Sequence, residues 1–345
     1  MTGYISIINE RTEGTNGSMK IAITGGAGFI GSHIARAYLD AGHDVFVIDT
    51  LVNGARKAVD PRARFYQMDI RDGKLQTLFQ QERPDLLSHH AAQHEYVLPG
   101  ERPLADADVN VRGLLNVLDS CVSASVGKLI FASGGNTLYG CVSAKHLPIT
   151  ENSPLCPQRP QDISKVTGEW YVRYYGSQYG LKYTIFRYAD VYGETDAEMM
   201  QHPLSYFVHM LLAGKRPLIR GTANEARDHI FIDDVVRANL CALERGQNQT
   251  LHISSGQGFD LSQFYRAAAD LLHSEIEPLY MTGSSVIGSS LERSVVALDN
   301  QLAWRALGWR PEVDFSEGVR RAVERLWNKQ VEQKSPLHPL AIALV

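Results

Sequence analysis

Residues Thr24-Gly25-Gly26-Ala27-Gly28-Phe29-Ile30-Gly31-Ser32-His33 decide how this chain reads. They follow the β-branched run Lys20-Ile21-Ala22-Ile23-Thr24 and lead into an apolar helical pattern from Ile30 to Ala41. Glycines at 25, 28 and 31 leave the backbone bare where a side chain would block a bulky anion, and the free N–H groups of a helix start attract negative charge. A second strand, DVFVID, ends in Asp49, at roughly the 20-residue spacing expected of a ribose-binding acid. Strand, glycines, helix, strand and acid in that order predict a bound dinucleotide, with its pyrophosphate on Gly25, Gly28, Phe29, Ile30 and Gly31. A carboxylate at 49 accepts from both ribose hydroxyls and repels a 2′-phosphate, so NAD is expected over NADP. Asn53 stands in the loop beyond that acid, and Arg56 and Lys57 read as a solvated pair.

The same alternation continues outward. ARFYQM, DLLSHH, KLIFAS and KYTIFR read as further strands, and Leu104 to Ala124 and Ile163 to Tyr179 as helices. Val166, Trp170 and Tyr174 recur every fourth residue in the second helix and read as core. Right-handed crossovers put helices on both faces, which gives an α/β, doubly wound parallel (Rossmann) sheet with its ligand crevice at the carboxyl ends of the strands. Residues 1–18 read as a flexible extension and 19–187 as the NAD-binding domain, with 229–256 contributing. Residues 188–335 read as a smaller, partly interleaved C-terminal substrate lobe and 336–345 as a tail. Within that lobe HIFIDDVVRANLCAL reads as strand then helix, and Phe315 to Val331 as an amphipathic helix.

At 345 residues, 44% hydrophobic and 21% charged, the chain can bury one large or two fused cores. Its 34 Lys+Arg against 38 Asp+Glu offer no basic field for nucleic acid or an anionic membrane, so a small-molecule partner is expected. Cys121, Cys141, Cys156 and Cys241 are scattered without metal-ligand spacing, so neither a disulfide framework nor a metal site is expected. No apolar run reaches the roughly 18 residues of a membrane helix, and a cytoplasmic location is expected.

The chain resembles the extended short-chain dehydrogenase/reductase family, in particular its NAD-dependent epimerase/dehydratase branch, which includes the UDP-glucose 4-epimerases. The likeness runs from about Met19 to Trp327. It rests on TGGAGFIGSH, Asp69-Ile70, His90-Ala91-Ala92-Gln93, Asn110 with Asn116, FASGGNTLYG, Ser164-Lys165 followed by Gly168-Glu169, RYADVYG, Arg227-Asp228 leading to Ile232-Asp233-Asp234, and LGWRP. The resemblance implies NAD held in the first lobe, with Asp69 and Ile70 near the adenine and Ala91, Ala92, Gln93, Asn110 and Lys165 among its contacts. It further implies a nucleoside diphosphate sugar between the lobes, with Arg227, and Arg293 as a second candidate, near its diphosphate. A homodimer through a helix bundle is typical of such proteins.

Three departures fall in one pocket. The family's acid/base is a tyrosine four residues before the active-site lysine, where the ammonium lowers its pKa. Four residues before Lys165 stands Gln161, whose amide can hydrogen-bond but cannot relay a proton. The family's Ser or Thr, four or five residues before Tyr139-Gly140, is replaced by Gly135 and Gly134, leaving Ser133 and Thr137 as flanking substitutes. Asp190 stands where relatives carry Asn near the diphosphate, and a carboxylate there is repulsive unless protonated or paired. Lys165, Tyr139 and His94, the last in a His94-Glu95-Tyr96 run, are candidate replacement acid/bases. With Asn136-Thr137 in place of the acids typical of dehydratases and decarboxylases, those reactions rank lower. The leading expectation is an epimerase-like oxidoreductase with an atypical proton carrier. The alternatives are a non-catalytic binder of NAD and nucleotide sugar, or a dehydratase/reductase relative.

Overall fold

The structure is a computed structural model that describes residues 17–93, 103–140, 142–193, 202–220, 225–281 and 294–334. Its larger part is a seven-stranded parallel sheet in the order β10-β6-β5-β4-β1-β2-β3. The strands are β1 (Lys20–Thr24), β2 (Asp44–Asp49), β3 (Arg64–Gln67), β4 (Leu86–His89), β5 (Lys128–Gly134), β6 (Lys182–Tyr188) and β10 (Gln249–Ile253). Six coincide with the runs read from sequence; the seventh, β10, arrives from the 229–256 segment to pair with β6. Strand periodicity sends Ile21 and Ile23 of β1 into one apolar cluster and Ala22 into the other, so both faces of the sheet are buried.

On one face lie α1 (Phe29–Asp40) and α7 (Ile232–Cys241); on the other lie α2 (Lys74–Glu82), α4 (Gly113–Ser123) and α5 (Pro160–Tyr179). The helix expected over Leu104 to Ala124 is not uniform. It begins as α3 (Pro103–Ala107), widens into a π-helical turn over Asp108–Arg112, and resumes as α4. One extra residue in the turn re-aims Asn110 toward the loop after β4, the kind of bulge that collects at functional sites.

The smaller lobe holds α6 (Pro203–Leu212), α8 (Leu261–Leu271) and α9 (Phe315–Lys334), packed on one another, and a second sheet. In that sheet β9 (Glu225–Phe231) pairs in parallel with β7 (Asp190–Tyr192) and β13 (Ser294–Val295), and antiparallel with β11 (Gly258–Phe259). A third, two-stranded sheet joins β8 (Leu218–Arg220) to β12 (Leu279–Met281). The expected contribution of 229–256 to the large domain is therefore split, since β9 belongs to the small sheet while α7 and β10 belong to the large one. The α7 junction is held from both ends. Asp234 accepts from Glu312 N and Val313 N at 3.0 and 3.1 Å, and its carbonyl accepts from Trp309 Nε1 at 2.9 Å, which pins the LGWRP segment. At the other end Lys128 Nζ caps α7's carbonyl terminus through Ala242 O and Arg245 O, where a cation meets the negative end of the helix.

The reading of Val166, Trp170 and Tyr174 as core holds for Val166, which is half-buried against the apolar cluster, and is corrected for the two aromatics. Trp170 and Tyr174 are 64% and 51% exposed, because α5 buries the face that carries Ser164, Lys165, Gly168, Glu169 and Val172 instead. Among the described residues no helix is long and apolar enough to cross a membrane, and Cys121, Cys156 and Cys241 are free. Residues 1–16, 335–345, Cys141, His94 and Arg293 lie outside the described residues.

Candidate active site

The dinucleotide cradle forms where β1, β2 and β4 end side by side. Gly25 takes φ +73°, and a Cβ there would lie 2.5 Å from Ala91 N, so only glycine lets the first turn touch the loop after β4. A Cβ on Gly31 would strike Gly25 O, so this glycine sets the close packing of α1 on the turn. Helix α1 starts at Phe29 with Gly28 as a cap that has no side chain to offer, the kind of helix start whose first N–H groups suit an anion. Asp49 is oriented by Ala27 N on Oδ2 at 3.0 Å and Leu51 N on Oδ1 at 2.8 Å, which holds its carboxylate beside the glycine turn. This bare, anion-accepting turn with a fixed acid at its side fits NAD. Asn53 is exposed in the next loop, and the exposed Arg56 lies over the Phe65 ring at 4.7 Å.

The turn after β3, where the resemblance puts the adenine, is braced by polar side chains. Asp69 pairs with Arg71 at 2.6 Å, and this hydrogen-bonded guanidinium holds its carboxyl below the usual range. Asn116 Nδ2 donates to Ile70 O and Asp72 O at 2.7 and 3.0 Å, which fixes the turn that buries Ile70. Asn110, in the π-helical turn, accepts from Gln93 N at 2.9 Å and donates back to Gln93 O, so it shapes the Ala91-Ala92-Gln93 loop.

The residues expected at the reaction end stand on the first two turns of α5. Gln161 follows the helix-opening Pro160 and stands one turn before Lys165. Lys165 Nζ donates to Ala132 O at 2.7 Å and lies 5.2 Å from the Phe131 ring centre. Burial lowers its pKa to about 8, against the pull of Asp106 and Glu169 toward the charged form.

The two flanking hydroxyls separate. Ser133 Oγ donates to Glu169 Oε1 at 2.7 Å, and Glu169 is clamped by the buried Arg187 at 2.8 and 2.6 Å and by Arg173 at 3.1 Å. Ser133 therefore closes a buried ion-pair network. Thr137 is half-buried and donates to Asp162 Oδ1 at 2.5 Å.

Tyr139 belongs to the buried network, which corrects its candidacy as a proton carrier. Its hydroxyl accepts from Arg187 at 2.7 Å and meets His252 Nε2 at 2.5 Å. Since His252 Nδ1 faces the Asp299 carbonyl at 3.0 Å, the neutral ring keeps its proton there and the phenol donates to Nε2. Burial pushes the Tyr139 pKa far above its ordinary value.

At the mouth of the smaller lobe Arg227 lies 3.5 Å from Asp190, so the carboxylate expected to repel phosphates is paired. Burial alone would raise the Asp190 pKa, but Arg227, with His229, Asn136 and His202, brings it below the ordinary range. Behind that pair His202 Nε2 meets His229 Nδ1 at 3.1 Å, a buried contact that ties the start of α6 to β9. Sequence reasoning missed Asp162, Arg187 and this histidine pair. Arg187 had a visible signal, a cation directly after the apolar stretch Tyr183-Thr184-Ile185-Phe186; Asp162 had a weaker one, a carboxylate adjoining Gln161.

Residues 21–254 match the NAD dependent epimerase/dehydratase family. The chain belongs to that family. It is 35% identical over 311 residues to a putative UDP-glucose 4-epimerase of Methanocaldococcus jannaschii, a match covering 89% of this chain and 98% of the relative. Among solved structures it is similar to the Thermotoga maritima UDP-glucose 4-epimerase with UDP-glucose. There the TM-score is 0.84 at 34% identity, over 91% of this chain and all of the other. It is likewise similar to the Thermus thermophilus UDP-glucose 4-epimerase in complex with NAD, with TM-score 0.81 and 32% identity over 90% and 99% of the two chains. As an enzyme of the epimerase/dehydratase family, it takes NAD as its cofactor, and the cradle of Gly25, Gly28, Gly31 and Asp49 is where this chain's own geometry suits it.

Proposed function

We propose that this epimerase/dehydratase family member oxidises and re-reduces a hydroxyl of a nucleoside diphosphate sugar, with a proton carrier other than the family tyrosine. The observation that carries the reading is the geometry of α5, which keeps Lys165 buried at the reaction end yet presents the amide of Gln161 one turn before it. NAD, when bound, supplies the hydride acceptor. The protein's part is to place the sugar, exclude water and move a proton, and Gln161 serves only the first of these, as a hydrogen-bonding side chain.

The diphosphate is assigned to Arg227, whose planar cation suits phosphate oxygens, with Asp190 tempering its charge and Arg293 as a second cation. Asp69, Ile70, Ala91, Ala92, Gln93, Asn110 and Lys165 are proposed to line the NAD site, and Asn53 to border it. His94 remains a candidate acid/base. A homodimer is also proposed, seated on the face of α5 that exposes Trp170, Tyr171 and Tyr174.

The test mixes the purified, NAD-loaded protein with a panel of nucleoside diphosphate sugars that starts with UDP-glucose, and follows the absorbance and fluorescence of reduced nicotinamide. Reduction with one sugar, and interconversion of its epimers, is the expected result. Bound cofactor that no sugar reduces would replace this reading with the second one that Gln161 favours, a protein that binds NAD and nucleotide sugar without turning them over. A Gln161→Tyr variant separates the two: faster turnover is expected if the pocket still aligns a sugar hydroxyl with the cofactor.

A further inference from the structure

The two glycines before Thr137 are not equivalent. A Cβ on Gly135 would lie 2.5 Å from Tyr188 O, so no side chain fits there. A Cβ on Gly134 would meet nothing closer than 3.5 Å, and the nearest polar side-chain atom is Thr137 Oγ1 at 3.7 Å. Thr137 thus supplies the side-chain hydroxyl in the space that the glycines vacate, while Ser133 is committed to Glu169.

The Thr137 hydroxyl is itself committed as a donor. Its proton points to Asp162 Oδ1 at 2.5 Å, a length typical of a hydroxyl on a charged carboxylate. Asp162 is 5% exposed, adjoins Gln161 in the first turn of α5, and is oriented by Arg159 Nε on Oδ2 at 3.0 Å. A threonine held this way offers only lone pairs to the crevice, so an approaching sugar hydroxyl must donate to it.

We infer that Thr137 and Asp162 form the proton relay that stands in for the missing tyrosine, with Thr137 touching the sugar and Asp162 acting through it. This deepens the proposed function and rests on it. When the sugar carbon gives its hydride to the nicotinamide of NAD, the hydroxyl O–H bond breaks and that proton bonds to Thr137 Oγ1. The threonine's own proton passes to Asp162 Oδ1. The products are a ketone, a neutral carboxylic acid and reduced cofactor, so the carboxylate's negative charge and the cofactor's positive charge disappear together. Return of the hydride reverses both proton moves.

The test measures single-turnover cofactor reduction in the full-length, NAD-loaded protein and its Thr137→Val, Thr137→Ser and Asp162→Asn variants. It uses UDP-glucose or whichever panel sugar reduces the wild type, in mixtures of light and heavy water. Calorimetric binding of that sugar and the melting midpoint are recorded alongside. The relay predicts that Thr137→Val and Asp162→Asn slow reduction on the order of 100-fold or more with sugar binding retained, while Thr137→Ser keeps most of the rate. It also predicts a bowed dependence of the wild-type rate on deuterium fraction, the mark of two protons in flight, that becomes straight in Thr137→Val. Rates that survive Asp162→Asn or Thr137→Val, a straight wild-type dependence, or equal losses in Thr137→Ser and Thr137→Val would each overturn the relay and leave the redox reading intact. A wild type that no sugar reduces would remove both. If Asp162→Asn does not fold, the two threonine variants and the deuterium dependence decide.

Discussion

Gly25 places its Cα against the backbone of Ala91, so a methyl group there must push apart the two turns that form the NAD cradle. Gly25→Ala is expected to cost about 1–3 kcal/mol of strain from its positive φ and to weaken NAD binding more than it lowers the melting midpoint. A fluorescence titration of NAD set against thermal melts checks this. Gly73→Ala, where an added Cβ meets nothing within 4 Å, is the control that should leave both unchanged. Gly25, Gly28, Gly31 and Asp49 were legible in the sequence because their places are set within one strand-turn-helix-strand unit. The parting of Ser133 from Thr137 was not, since which hydroxyl meets Glu169 and which meets Asp162 depends on α5 crossing the end of β5. Tyr139 misled for the same reason: its partners, Arg187 and His252, come from two other strands.

Helix periodicity located α5 but not the body that covers each side of it. A four-residue repeat of Val166, Trp170 and Tyr174 reads as a buried stripe, whereas the sheet takes the neighbouring stripe of smaller and polar residues and leaves the aromatics outside. If that outer face is the homodimer seat, the wild type should sediment as a dimer, and Trp170→Glu with Tyr174→Glu should yield a folded monomer by sedimentation velocity. A monomeric wild type, or a double variant still dimeric, would refute the assignment. The π-helical turn at Asn110 was likewise invisible, because the residue that widens the helix is stabilised by Gln93 and Asp106 rather than by its own spacing.

Across the whole molecule the alternation of strands and helices fixed the parallel sheet, but it did not show that β9 would leave for a second sheet, since both sheets bury such a strand. The assembled core also holds histidines away from water. Burial lowers the pKa of His90, His202 and His252 to about 3 and of His229 to about 4, and takes His89 well below its ordinary value. An unfolded chain protonates these rings below about pH 6.5 while the folded one does not, so each ring costs stability as the pH falls from there toward 4. Asp228, raised by burial to about 7, and Glu151 and Asp234, also raised by burial, act in the opposite sense, three carboxyls against these five rings and a sixth, His43, that burial also lowers. The melting midpoint is therefore expected to fall between pH 7 and pH 5; a flat profile would mean that these rings exchange protons with solvent in the native state. The route of the chain has a further outcome for biogenesis. Strand β10 pairs with β6 only after the polypeptide has built β7, α6 and β9 of the other lobe. During synthesis on the ribosome the nucleotide-binding sheet thus stands with β6 as a bare edge, a template for pairing with neighbouring nascent chains. Truncations that end before Gln249 should keep that edge open and collect in inclusion bodies, even though they retain every residue of the glycine turn.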